Sequence, residues 1–245
     1  MKVLRTWGFD GKLNMALDVI LLENSKEPVL RFYDWARPTL SLGRHQRKIQ
    51  IDYEYLKRKK FDVIVRPTGG RAVLHWDELT YSVVIPSNHE LFKVSVLESY
   101  LVISECISKA LKSVGYNVEI EKAKNLSNTP ACFDSPSVYE IKIDGKKVVG
   151  SAQARTDKAI LQHGSIVLKA HLKEYAKILS MKTEDLKDKM AGLYEYKYIE
   201  VEKLCEALEK EFEKLFGKTE NFELSSKLFL EAWQRKDEFT WQVSL

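Results

Sequence analysis

Cys132 is the residue with the strongest potential for chemistry. It lies in K-A-K-N-L-S-N-T-P-A-C-F-D-S-P-S (122–137), a stretch with no periodicity, two prolines and several turn formers, which reads as a loop. Loops held on rigid scaffolds often carry reactive groups. A free thiol titrates near ~8.5, so little of it is thiolate at neutral pH; an ammonium nearby lowers that value and makes thiolate the main species. Lys146 and Lys147 are the candidate partners, provided that the loop folds back across the strands that follow. The competing reading of Cys132 is an incidental exposed thiol. Cys106 and Cys205 fall inside amphipathic helical patterns and are expected to be core filler. Three cysteines at these spacings form neither a closed disulfide framework nor a zinc signature, so no metal is expected.

The second candidate is Arg66-Pro67-Thr68-Gly69-Gly70-Arg71, which follows directly on an apolar strand. Paired glycines allow close approach of a backbone to a ligand, and flanking arginines can hold a phosphate or carboxylate. An ordinary Gly-Gly turn with surface arginines explains the same letters, since this is neither a Walker loop nor a dinucleotide fingerprint. Gly150-Ser151-Ala152 is a patch of small residues within a strand, as a ligand lying against the backbone would need. His163 has two readings, a general base or a structural histidine. His75 follows an apolar strand, where a hydrogen-bonding structural role is expected.

These residues need a scaffold. Leu13, Ala16, Leu17, Ile20 and Leu21 share one face of a helix at 13–22. Short strands are expected at 29–33 and 39–43, a helix at 50–60, a strand at 61–65, and a strand pair at 72–75 and 79–85. Lys57–Lys60 fall where that second helix ends and suit its dipole. Apolar residues from Val96 to Val114 repeat at helical spacing, and Gly115 closes the pattern. Asp144-Gly145 is a strong hairpin signal joining 138–143 to 146–154, so that 143 pairs with 146 and 142 with 147. A second turn at about 155–158 leads to a strand at 159–168. With 149 opposite 163 in that hairpin, His163 and Ser165 would share a face with Lys147.

From 171 onward the chain becomes rich in Lys and Glu at helical spacing, with an aromatic tail. Strands and helices first and helices last predict an α+β fold, with one domain over 1–245 and a helix-rich extension from about 171. At 44% hydrophobic and 30% charged, 245 residues supply a packed core, which argues against disorder. No run approaches the ~18 apolar residues of a membrane span, and the first ten residues do not read as a signal peptide. A cytoplasmic protein is expected. Its net charge of +4 is too small to point to nucleic acid.

Three segments in this order and spacing, R-P-T-G-G-R-A-V-L-H (66–75), A-C-F-D-S-P-S-V-Y-E (131–140) and G-K-K-V-V-G-S-A-Q-A-R…Q-H-G-S-I (145–166), resemble the biotin/lipoate protein ligase superfamily. Within it they resemble the bacterial octanoyltransferases of the LipM type. With R-P-T-L-S-L-G-R-H-Q (37–46), the resemblance runs from about residue 28 to 170. It implies a large mixed β-sheet flanked by helices. It implies transfer of an octanoyl group from acyl carrier protein to a lysine of a lipoyl domain, such as the glycine cleavage H protein or a 2-oxoacid dehydrogenase E2 subunit. No cofactor is implied. By position, Cys132 matches the acyl-thioester nucleophile and Lys147, fifteen residues later, the lysine that depresses its pKa and orients the acyl carbonyl. Arg66, Thr68, Gly69, Gly70, Arg71, His75, Gly150, Ser151 and Ala152 would line the acyl pocket, with His163 beside them. Amidotransfer between lipoyl proteins, ATP-dependent lipoate ligation and a non-enzymatic binding module are the alternatives.

Overall fold

The computed structural model describes residues 1–46, 49–122 and 139–242. In chain order the elements are β1 (Lys2–Thr6), α1 (Gly11–Asn24), β2 (Val29–Tyr33), β3 (Thr39–Leu42), α2 (Tyr53–Lys59), β4 (Asp62–Val65), β5 (Val73–His75) and β6 (Glu78–Pro86). Then come α3 (Glu90–Lys93), α4 (Val96–Ser113), β7 (Glu119–Lys122), β8 (Tyr139–Ile143), β9 (Lys146–Arg155) and β10 (Ala159–Val167). The chain continues with α5 (Leu172–Ile178), α6 (Thr183–Lys187), α7 (Val201–Phe216), β11 (Glu220–Asn221) and α8 (Ser226–Arg235).

The elements form two sheets. Eight strands in the order β11-β1-β2-β6-β10-β9-β8-β7 make the larger one, parallel over its first three strands and antiparallel beyond. Strands β4-β3-β5 make a separate small sheet. The segments 72–75 and 79–85, expected as a pair, thus belong to different sheets. Asp77, with φ 47, turns the chain between them. The expected hairpin turn is present: Asp144 and Gly145 both have positive φ, the backbone of a type I′ turn.

Local chemistry explains the helix ends. Asp10 caps α1 through the Leu13 N–H, and Ser95 with Glu98 forms a capping box at the start of α4. The last turn of α2 carries Lys57, Arg58 and Lys59, where cations complement the helix dipole.

Alternation along the strands divides the large sheet into two faces. On one, Leu30, Phe32, Tyr81, Val83, Ile160 and Ile166 pack against Ile103 and Ile107 of α4 and Leu204 and Leu208 of α7. Toward β1, the other face carries Leu4, Val29, Val84 and Leu161 against α1 and α8. The small sheet is covered by Leu56 of α2 and by Tyr175, Ile178 and Leu186 of α5 and α6. Cys106 and Cys205 sit in the α4–α7 layer as expected, and burial pushes their thiols up to about 11 and about 12.

Candidate functional site

A narrow pocket of about 360 Å³, counted to its open mouth, lies between the two sheets. Its floor is the polar stretch of the large sheet: Thr80 on β6, Gly150 and Ala152 on β9, His163 and Ser165 on β10. Its roof comes from the small sheet and the segment after β4, with Ser41, Arg66, Val73 and His75; Met15, Tyr33 and Trp35 complete the wall.

Two buried relays tie roof to floor. In the first, Asp18 of α1 accepts from His163 Nδ1 at 3.0 Å, and His163 Nε2 meets the Thr68 hydroxyl at 2.7 Å. Asp18 also accepts from Arg31 at 2.7 Å, Ser82 at 2.9 Å and Tyr33 at 3.0 Å. Burial opposes charge on Asp18, but the Arg31 cation and the His163 bond prevail and hold its carboxyl below the usual range. Burial pushes His163 below its ordinary value against the pull of Asp18, so the ring is neutral at pH 7. It donates from Nδ1 and accepts the Thr68 proton at Nε2. That assignment selects the structural reading of His163 over the general base, because its acceptor nitrogen is already engaged.

In the second relay Glu78 accepts from His75 Nδ1 at 2.7 Å, and His75 Nε2 meets Ser41 Oγ at 2.8 Å. Thr80, Ser165 and the Trp35 indole also donate to Glu78, and Trp35 stacks on His75 with ring centroids 3.9 Å apart. The structural role expected for His75 is what the geometry shows. The polar atoms of both relays thus meet partners within the protein. An apolar chain entering the pocket would strip little water from unmatched groups.

The Arg66–Arg71 segment works differently from an anion clamp. Arg66 is buried, and its guanidinium donates to the carbonyls of Gly69, Arg71 and Ser41 and to Ser41 Oγ. It staples its own loop to the small sheet. Thr68 is wholly buried behind the pocket. Gly70 has φ +89, and a Cβ on Gly43 would stand 1.9 Å from the Gly70 carbonyl oxygen. The paired glycines therefore permit tight packing of two loops.

Lys147 is almost completely buried, with Nζ 3.2 Å from Glu140; Glu140 in turn bridges to Lys142 at 3.1 Å, which reaches Glu121 at 2.7 Å. Its backbone is held by the chain after α6, through Lys147 N–H to Lys189 O and Ala191 N–H to Lys147 O. The pairings of 142 with 147 and 143 with 146 are as expected. The next register is not: residue 149 lies opposite 166, and 163 opposite 152. Thr156 causes the three-residue slip, because its hydroxyl accepts from the Lys158 and Ala159 N–H groups and sets the turn later. A bulge then intervenes, with Ile141 facing Val149 but Lys142 facing Lys147. Lys147 consequently does share a face with Gly150, Ala152, His163 and Ser165, while Val149 and Ser151 turn to the α4 side.

Cys132 lies outside the described residues, so its distance to Lys147 is not part of this geometry. Arg66, His75, Gly150, Ser151, Ala152 and His163 come together round one pocket. Sequence reasoning missed Asp18, Arg31, Ser41 and Glu78. The available signal was a charge inside each of two apolar runs, N-M-A-L-D-V-I-L-L and V-L-R-F-Y. Among the described residues no group of three His, Cys, Asp or Glu is placed to hold a metal, and no helix is long and apolar enough to cross a membrane.

Residues 10–213 match the lipoyl protein ligase A/B catalytic domain, and the chain belongs to that family. It is 42% identical over 206 residues to a protein of Carboxydothermus hydrogenoformans named octanoyltransferase LipM, covering 79% of this chain and 77% of that one. A Staphylococcus aureus protein of the same name is 37% identical over 253 residues, covering 93% and 91%. These relatives place the chain among the acyltransferases of the family. Lipoate-protein ligase A bound with ATP superposes with a TM-score of 0.80 at 19% identity, over 97% of this chain and 94% of that one. The bipartite lipoate protein ligase of Thermoplasma acidophilum gives 0.80 at 18%, over 97% and 92%. At that identity the likeness shows a shared fold.

Proposed function

We propose that the protein moves an octanoyl group from octanoyl-acyl carrier protein to a lysine of a lipoyl-domain protein, in the cytoplasm, through a thioester on Cys132. Glycine cleavage H protein and 2-oxoacid dehydrogenase E2 subunits are the acceptors that fit. The observation that carries this reading is Lys147. It is a buried lysine on the same sheet face as the pocket floor, fifteen residues along the chain from Cys132, in a chain whose relatives bear the octanoyltransferase name.

The chemistry balances without a cofactor. The Cys132 thiolate attacks the carrier thioester, and the carrier thiol leaves with a proton; one thioester replaces another. The acceptor lysine, as the neutral amine, then attacks the Cys132 thioester; the C–N bond forms, the C–S bond breaks to expel the thiolate, and the surplus amine proton passes to solvent. The second step runs downhill, so ATP is not needed. Lys147 supplies a cation beside the nucleophile and a donor toward the acyl carbonyl.

Incubation with octanoyl-acyl carrier protein should leave an octanoyl mass adduct on the wild type and none on Cys132→Ala. Undiminished transfer by Cys132→Ser would defeat the covalent route. Octanoyl-lipoyl protein outperforming octanoyl-carrier protein as donor would indicate amidotransfer instead, and lipoate-dependent AMP release would indicate a ligase.

A further inference from the structure

The two relays share a geometry: each puts a single imidazole between a carboxylate and a hydroxyl, and one of its two hydrogen bonds crosses between the walls, His163 of the floor to Thr68 of the loop after β4 and His75 of the roof to Glu78 of the large sheet. Asp18–His163–Thr68 runs from α1 through β10 to the loop after β4. Glu78–His75–Ser41 runs from β6 through β5 to β3. Hydrogen bonds of 2.7–3.0 Å flank each ring. Each ring is rigid and stands from one wall, so the gap to the other wall is set by the histidine side chain and one hydrogen bond. Soft packing does not enter it. A polymethylene chain between two walls makes its best carbon contacts at ~3.5–4.0 Å on either side, which asks for a slot of about 7–8 Å. A histidine side chain standing from one wall and hydrogen-bonded to the element behind the other holds a gap of that order.

We propose that the two relays act as calipers that fix the thickness of the slot and so select an unbranched acyl chain, with Asp18, His163 and Thr68 as positioning residues. This rests on the reading that the pocket takes the octanoyl group. Of the two, the Asp18 relay is the one that ties the loop after β4 to the floor, a loop whose other holds, Arg44 N–H to the Thr68 carbonyl and the Arg66 staple, run within the small-sheet side. Thr68 lies in the connection between β4 and β5, next to Arg66, which lines the slot, and its hydroxyl ties that connection to the floor. The Glu78 relay ends on β3, a strand that neighbouring β4 and β5 already hold by backbone hydrogen bonds.

The test compares octanoyl-acyl carrier protein with the same carrier bearing a methyl-branched octanoyl chain, using the full chain and a lipoyl-domain acceptor. The wild type should favour the straight chain by at least about tenfold in kcat/KM, as a tight pocket does for one added methyl. Thr68→Val keeps the shape but lacks the hydroxyl; its preference should fall below about threefold. Thr68→Ser should restore it. Asp18→Asn, where it folds, should show the same loss, and the double variant should be no worse than either single one.

A Thr68→Val enzyme that keeps the full preference overturns the proposal. So does Thr68→Ser behaving like Thr68→Val, or an active wild type that takes both chains equally. A wild type that takes no octanoyl group from the carrier overturns the proposed function itself, and the caliper reading falls with it.

Discussion

The two faces of the large sheet are made by the same strands and do opposite work. Along β6, Tyr81, Val83 and Ile85 enter the apolar layer under α4 and α7, while Thr80 and Ser82 face the pocket side. Along β10, Ile160 and Ile166 go one way, His163 and Ser165 the other. The apolar face is held by area, which tolerates small errors. The polar face is held by directed bonds, where one missing partner leaves another buried group unmatched. Over the stretch that floors the pocket, apolar area and directed bonds are thus assigned to opposite faces by the two-residue period of a strand.

The largest effect is expected from breaking the polar face at its charge pair. Asp18→Ala leaves the Arg31 guanidinium buried without its carboxylate and should cost about 3–5 kcal/mol. Denaturant unfolding measures it; a loss under ~1 kcal/mol would mean that the pair is not buried as described. Leu208→Ala on the apolar face should cost about 2–5 kcal/mol while leaving the kcat of the folded enzyme unchanged. A change in acyl selectivity there would dissolve the division between the faces.

Acid sharpens the comparison further. The unfolded chain takes up a proton on His163 near its ordinary 6.5, whereas burial holds the folded value lower. That contribution is whole above 6.5 and is lost as pH falls from there toward the folded value. Unfolding midpoints should drop between pH 7 and pH 5, with a shallower slope in His163→Gln. His89 shifts the same way and is present in both proteins. The smallest effect belongs to Ser95→Ala, which removes an exposed capping box at the start of α4 and should cost about 1 kcal/mol by the same measurement.

Much of this scaffold can be read from local patterns. The stripe from Val96 to Val114 and the turn at Asp144-Gly145 needed nothing beyond neighbours in sequence. The separate small sheet did not announce itself, because β3, β4 and β5 are short and each pairs with a partner far along the chain. The site was legible as a list of residues, Arg66, His75, Gly150 to Ala152 and His163, but not as a mechanism of assembly. Asp18 and Arg31 stand in apolar runs, where each alone looks like an interruption; only tertiary packing shows them to be partners. The register of β9 against β10 turned on one hydroxyl, that of Thr156.

The bulge in β9 has an evolutionary corollary. Lys147 and Gly150 stand an odd number of places apart and yet point the same way, so the kink has changed the parity of the strand. A cousin lacking one residue between this lysine and the glycine could present the same amine from a perfectly regular ribbon. A cousin with the full count and no kink would thrust the ammonium into oil. Alignments that slide a gap through this stretch are therefore deciding which side of the sheet an enzyme reacts on.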